Sequence, residues 1–227
     1  MKLSNRLKTI ADMVSTPSVI DVGCDHGLID IYLAKEKQIS CIASDISENA
    51  LQQAKENIQK YQVQDLVQTV CTDGLKGISV SEQDTVILSG MGTYTIIDIL
   101  EHREDVKHCI ISAHTDVPYL RRWMTSHGYA ITEEQIVEER NILYIIISFE
   151  RKTVTYQEID YVVGPFLKHN QTYLNKILKQ EKKLLQQIPE SHREKRQEKE
   201  TLISLLLEAI KKVQCQVVLV KPKTNDK

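Results

Sequence analysis

Hydrophobic residues in the first two thirds of the chain fall into short β-branched runs: Ser18–Val22, Ser40–Ser44, Leu66–Cys71, Thr85–Leu88 and His108–Ser112. Segments of helical length separate most of them. Such alternation predicts a mostly parallel sheet, covered on both faces and wound by right-handed crossovers. A helix beginning near Asp116 stops at Gly128, and Ala130–Val137 and Ile142–Phe149 then follow with no helix between them. This pair predicts a terminal hairpin that adds antiparallel strands to the parallel sheet. Ahead of the first strand, Leu3, Leu7, Ile10, Ala11 and Val14 share one face of a helix over residues 2–14, which suits packing against the sheet. Arg6 lies on the other side of that helix, a candidate to reach a ligand.

The period changes near residues 151–156, giving expected domains of 1–154 and 155–227. Leu167, Asn170, Leu174, Ile177, Glu181, Leu184 and Ile188 alternate steps of three and four, a heptad seam with two polar members. Pro189 interrupts it. Ser191 and Glu194 have capping-box spacing before a second apolar stripe, Leu202, Ile203, Leu206, Ala209, Ile210 and Val213. Residues 155–213 therefore read as an antiparallel two-helix coiled coil, its entry kinked at Gly164-Pro165.

With 227 residues, 41% of them hydrophobic and 26% charged, the chain can bury one full core plus an appendage. No apolar run approaches the length of a membrane span, and the start Met1-Lys2-Leu3-Ser4 lacks a signal-peptide core. Cysteines 24, 41, 71, 109 and 215 contain no C-x-x-C pair and leave one over in any pairing, so neither a disulfide framework nor a metal site is expected. A cytoplasmic protein with no membrane contact fits best. The formal charge of −2 hides an asymmetry: residues 1–150 carry 13 Lys and Arg against 22 Asp and Glu, and residues 151–227 carry 16 against 9. The basic end is a candidate for contact with a polyanion, although charge alone favours a solvated helical face.

The first strand runs into Asp21-Val-Gly-Cys-Asp-His-Gly27, then directly into an apolar helix. A glycine turn there lets a ligand approach the backbone at the carboxyl edge of the sheet. The dinucleotide fingerprint G-x-G-x-x-G is not met. The second strand ends at Asp45, placed to accept two hydrogen bonds from a ribose diol; Asp73-Gly74 follows the third, and Ser89-Gly90-Met91-Gly92 the fourth. Individually, Asp45 before Ser47-Glu48 suits a helix cap equally well, and Asp73-Gly74 a plain turn. Together, aspartates at three successive strand ends select among ligands. A phosphate charge about 6 Å from such a carboxylate would be repelled by about 3 kcal/mol at an effective dielectric near 20. That disfavours NAD and ATP. S-adenosylmethionine carries no phosphate, and its sulfonium and ammonium suit an acidic rim.

At these residues the sequence resembles the bacterial TrmK family, through Leu3–Met13, Asp21–Gly27, Gly90-Met91-Gly92 and Gly164-Pro165 before a lysine-rich helical pair. The resemblance covers nearly the whole chain. It implies a Rossmann-like class I methyltransferase fold and transfer of a methyl group from S-adenosylmethionine to N1 of adenine 22 in tRNA. Carried over by position, Asp21, Gly23, Asp25, His26 and Gly27 would surround the methionyl part, Asp45 and Ile46 the ribose, Asp73 and Gly74 the adenine, and Gly90, Met91 and Gly92 the transfer pocket. Asp25, His26 and Met91 are the catalytic candidates. Lys168, Lys176, Lys179, Lys182, Lys183, Arg193, Lys195, Arg196 and Lys199 are the candidate tRNA cradle. No metal and no obligate protein partner are expected. The chain departs from the family pattern at Thr93, where a further glycine is usual, and at Ala113-His114, where Gln-Pro is usual. Another RNA or small-molecule acceptor, or a non-catalytic adapter, remain as alternative readings.

Overall fold

The computed structural model describes residues 1–219, with side chains to Cys215, so the end of the basic tail, 220–227, lies outside the described residues. The chain divides into two compact units, Met1–Thr155 and Tyr156–Lys227.

The first unit runs α1 (Asn5–Met13), β1 (Ser18–Val22), α2 (Leu28–Lys37), β2 (Ser40–Asp45), α3 (Glu48–Tyr61), β3 (Val67–Cys71), β4 (Asp84–Ser89), α4 (Thr93–Leu100), β5 (His108–Ser112), α5 (Val117–Ser126), β6 (Tyr129–Glu139) and β7 (Ile142–Arg151). Seven strands lie in the order β3-β2-β1-β4-β5-β7-β6. The first five are parallel, and β7 is antiparallel to both β5 and β6. This is the Rossmann-like methyltransferase sheet with its antiparallel terminal hairpin. β3 reaches β4 through turns rather than a helix. The winding direction reverses between β1 and β4, so the loops after these strands diverge and open a crevice at the carboxyl edge.

Ile20, Ile87, Leu88, Ile110 and Ile111 on the strands and Ile31, Leu33 and Ile96 on the helices are fully enclosed. Each such side chain stabilises the fold by about 1.5–3 kcal/mol relative to exposure. Ser4 caps α1 by accepting the Leu7 N–H, while the Arg6 N–H donates to Glu139 Oε1 at 2.6 Å and ties α1 to the end of β6. On β6 a bulge intervenes between Ile131 and Glu133. Ile131 faces Phe149, and Glu134, three residues on, faces Ile147, only two residues from Phe149 on β7. The extra residue turns Glu134 inward, where its Oε1 accepts from Arg121 Nε of α5 at 2.8 Å. Both side chains are fully buried.

The second unit contains α6 (Glu158–Val162), α7 (Gln171–Gln187) and α8 (Arg193–Leu219). Lys199 on α8 meets Glu181 on α7 at 2.5 Å, and Arg196 donates to the carbonyls of Leu185 and Ile188, so α7 and α8 run antiparallel. The sequence-derived seam needs correction at four positions. Leu167 precedes α7, and Asn170 is its N-cap, its side chain accepting the Tyr173 N–H. Leu184 is exposed while Leu185 is half-buried, and Leu178 shares the inward side with Ile177. The working frame is Leu174, Leu178, Glu181, Leu185 and Ile188. The expected capping box is also displaced: α8 starts at Arg193, so His192 rather than Ser191 precedes it, and the Arg196 N–H donates to the His192 carbonyl.

Candidate active site

β1 delivers its chain into a turn built on two left-handed glycines and one left-handed aspartate. Gly23 has φ +77°, Asp25 +52° and Gly27 +67°. The amides of Gly23 and Cys24 both donate to the Ser44 carbonyl, at 2.8 and 2.9 Å, which locks the turn to β2. The φ of +77° at Gly23 favours glycine, and a Cβ there would also stand 3.0 Å from Met91 Cε, pressing on the side chain that packs over this turn. The Asp25 N–H donates to Asp45 Oδ2 at 3.2 Å, and Asp45 Oδ1 accepts the Ser47 N–H at 2.8 Å. Asp45 thus braces both the turn and the entry to α3, whose N-cap is Ser47. His26 Nε2 lies 3.5 Å from Asp25 Oδ2, and the Asn57 amide holds the His26 carbonyl at 3.1 Å.

Beneath the turn lie two buried acids. Asp21 is the last residue but one of β1 and Asp30 sits in the first turn of α2; both are buried. The Asp30 oxygens meet no N–H donor or hydroxyl among the described residues and face the Asp21 carboxyl instead. Burial, then the facing Asp30 carboxyl, and then Asp45 push Asp21 well above the usual carboxylate range, and burial pushes Asp30 up to about 7. Two adjacent carboxyls out of water hold protons that exposed ones would lose. A cation brought into their reach would relieve that cost. Residue reasoning passed over Asp30, although a lone acid inside Leu28-Ile-Asp-Ile-Tyr-Leu33 was its visible signal.

A cavity of about 370 Å³ opens at this point, lined among others by Arg6, Asp21, Gly23, Asp25, His26, Ser89, Gly90 and His114. Arg6 donates to Ser89 Oγ at 3.1 Å and stands 5.0 Å over the Tyr144 ring, so the cation on the polar side of α1 does reach the site. The His114 N–H donates to the Met91 carbonyl at 3.0 Å and the Gly90 N–H to the Ser112 carbonyl at 3.3 Å, joining the loops after β4 and β5. Thr93, where the family pattern has glycine, is buried: its N–H donates to Thr115 Oγ1, and its hydroxyl bonds the carbonyl of Thr115.

The structure therefore gathers Asp21, Gly23, Asp25, His26 and Gly90 around one cavity, with Asp45 bonded to its turn and Met91 packed on Gly23. Ile46, next in sequence to Asp45, is 70% exposed and does not line the cavity. Asp73 and Gly74 do not join that cavity. They line a separate one of about 780 Å³ with Arg103 and Asp105, and Asp73 pairs with Lys76 at 2.5 Å. In the second unit, Lys168 pairs with Asp160, Lys199 with Glu181, and Arg196 with backbone carbonyls, so these three hold the helices together. Lys176, Lys179, Lys182, Lys183, Arg193 and Lys195 are exposed. The described residues contain no His, Cys, Asp or Glu cluster able to hold a metal ion and no helix long and apolar enough to cross a membrane.

Residues 3–147 match the family model described as a methyltransferase domain. The tRNA (adenine(22)-N(1))-methyltransferase of Bacillus subtilis is 29% identical over 190 residues, 78% of this chain and 80% of that protein. The crystal structure of a Streptococcus pneumoniae putative tRNA (m1A22) methyltransferase in complex with S-adenosyl-L-methionine superposes with a TM-score of 0.82 at 28% identity, covering 92% of this chain and 100% of the other. M. capricolum TrmK in complex with S-adenosyl-homocysteine gives 0.82 at 26% identity, covering 93% and 99%. Matching the family model across its sheet unit, the chain belongs to the methyltransferase domain family, and it shares fold and sequence with tRNA (m1A22) enzymes of that family.

Proposed function

We propose that this chain transfers the methyl group of S-adenosylmethionine to N1 of adenine 22 in tRNA. The observation that carries the reading is the group of carboxyls at the switch point: the buried, facing pair Asp21 and Asp30, and Asp45 bonded to the Asp25 amide. A cation beside the buried pair would relieve the cost of ionising it, and the accessible Asp25 and Asp45 disfavour nucleotides that carry phosphate. S-adenosylmethionine supplies a methyl group made electrophilic by the sulfonium that bears it. Asp21, Gly23, Asp25, His26 and Gly27 would hold its methionyl part, Asp45 and Ile46 its ribose, and Gly90, Met91 and Gly92 the transferring end. Asp73 and Gly74, at the end of the next strand, are left for the adenine.

Adenine N1 is a neutral nitrogen with an available lone pair, so the chain's task is alignment rather than deprotonation. Orientation alone accounts for about 7–11 kcal/mol of a barrier in well-aligned systems. The closure of Met91 over Gly23 and the bond from His114 to the Met91 carbonyl fix the walls between which N1 would sit. Asp25 and His26 serve first to hold the donor. Because N1 is covered in a Watson–Crick pair, the target base must be unpaired or extruded. The exposed cations of α7 and α8 would track the phosphates.

Incubating the protein with labelled S-adenosylmethionine and tRNA, then mapping the labelled nucleotide, tests this. Label at N1 of adenine 22 is expected; label on a pyrimidine, or none, overturns the proposal.

A further inference from the structure

α4 and α5 begin where β4 and β5 end, and each carries an exposed tyrosine in its first turn. Tyr94 is 63% and Tyr119 42% exposed. Their ring centroids are 5.6 Å apart with planes tilted by 40°. Large aromatics left in water at adjacent positions are unusual, and these are held there by dedicated bonds. The Thr93 N–H donates to Thr115 Oγ1 at 3.3 Å, which pins the start of α4 to the loop before α5. Asp116, left-handed at φ +42°, caps α5 and accepts the Tyr119 N–H at 3.3 Å. Thr93, one of the two places where the chain departs from the pattern it resembles, thus forms with Thr115 and Asp116, just after the other at Ala113-His114, one clamp whose outcome is the spacing of the tyrosine pair.

We infer that Tyr94 and Tyr119 form a stacking platform for an unpaired nucleobase of the RNA beside the cavity mouth, positioning residues for the acceptor. The inference rests on the proposed reaction. Gly90 and His114, which line the cavity, precede the two tyrosines on the same pair of loops, so the platform belongs to the same sheet edge. A base drawn out of an RNA helix loses its neighbours, and aromatic faces replace that stacking whatever the base. The phenol oxygens are not needed for this.

The test uses full-length protein, S-adenosylmethionine and transcribed tRNA, with Tyr94→Leu, Tyr119→Leu and the two Phe variants. The Leu variants are expected to lose about 5- to 100-fold in kcat/KM for tRNA, the scale of one lost base–aromatic stack, while calorimetry finds their S-adenosylmethionine affinity unchanged. The Phe variants should keep wild-type kcat/KM. A tRNA with 2-aminopurine beside adenine 22 should be quenched on binding wild type and less so on the Leu variants. Leu variants as active as wild type would overturn the platform and leave the reaction standing. Phe variants as impaired as the Leu variants would overturn it as well, since hydroxyl contacts would then be responsible. A wild-type protein that binds S-adenosylmethionine but never methylates tRNA would overturn both readings.

Discussion

Asp30 is the residue whose role was least legible in the sequence and is most consequential in the structure. Nothing in Leu28–Leu33 announces that an acid at the third helical position would face Asp21, because the contact depends on how α2 leans on β1. The other aspartates were readable because they end strands, where a parallel sheet places its ligand groups. The buried pair has a calculable signature. Both carboxyls bind protons more tightly in the folded state than in the unfolded chain, where they titrate near 4. The Asp30 contribution to stability is therefore full below about pH 4 and declines as pH rises through about 7, the value to which Asp30 is pushed; that of Asp21 declines in the same direction. Asp30→Asn removes the Asp30 part of that decline and its push on Asp21, so thermal scans should show it raising Tm more at about pH 7.5 than at about pH 4.5. An equal shift at both would contradict the paired-acid account. Asp21→Asn should weaken S-adenosylmethionine binding by about tenfold or more, the effect of losing about 1.4 kcal/mol, with tRNA affinity retained. Titration calorimetry and a tRNA mobility assay check the two halves.

At the scale of elements, periodicity recovered the strands and the hairpin, because buried parallel strands leave an apolar run that little else produces. It could not recover what depends on one inserted residue. The bulge between Ile131 and Glu133 puts Glu134 on the buried side, and its partner Arg121 lies on another element, so neither signals the other in the sequence. Breaking that buried pair with Glu134→Ala should destabilise the fold by about 3–5 kcal/mol, whereas Arg121→Met combined with Glu134→Leu should recover much of it. Urea unfolding of the two variants decides; equal loss in both would show that charge is not the issue. The seam of α7 slipped for a related reason. Leu184 and Leu185 are adjacent and apolar, so spacing alone admits either, and the packing of α8 selects Leu185. Gly23→Ala would strain φ +77° and press on Met91 Cε. It should reduce methyl transfer more than it reduces stability, measured by turnover beside Tm, since the loop after β4 would be held away from the turn.

For the whole molecule, the division of charge is the feature that sequence states most plainly and structure qualifies. The basic surplus lies beyond residue 150, but Lys168, Arg196 and Lys199 spend their charge inside the helical unit. That leaves the exposed Lys179, Lys182, Lys183, Arg193 and Lys195 as the ones to neutralise. Replacing Lys179, Lys182, Lys183 and Lys195 by Gln should weaken tRNA binding at low salt and flatten its dependence on salt, each lost phosphate contact lowering the log–log slope by about 0.7–0.9. An unchanged slope would return these lysines to the role of a solvated face. The acidic unit makes the complementary claim, that its rim accepts a donor bearing positive charge and no phosphate. Isothermal titration of the purified protein with S-adenosylmethionine and, separately, with NAD tests that claim most directly. Saturable heat is predicted with S-adenosylmethionine and none with NAD; saturation by NAD and silence with S-adenosylmethionine would contradict it.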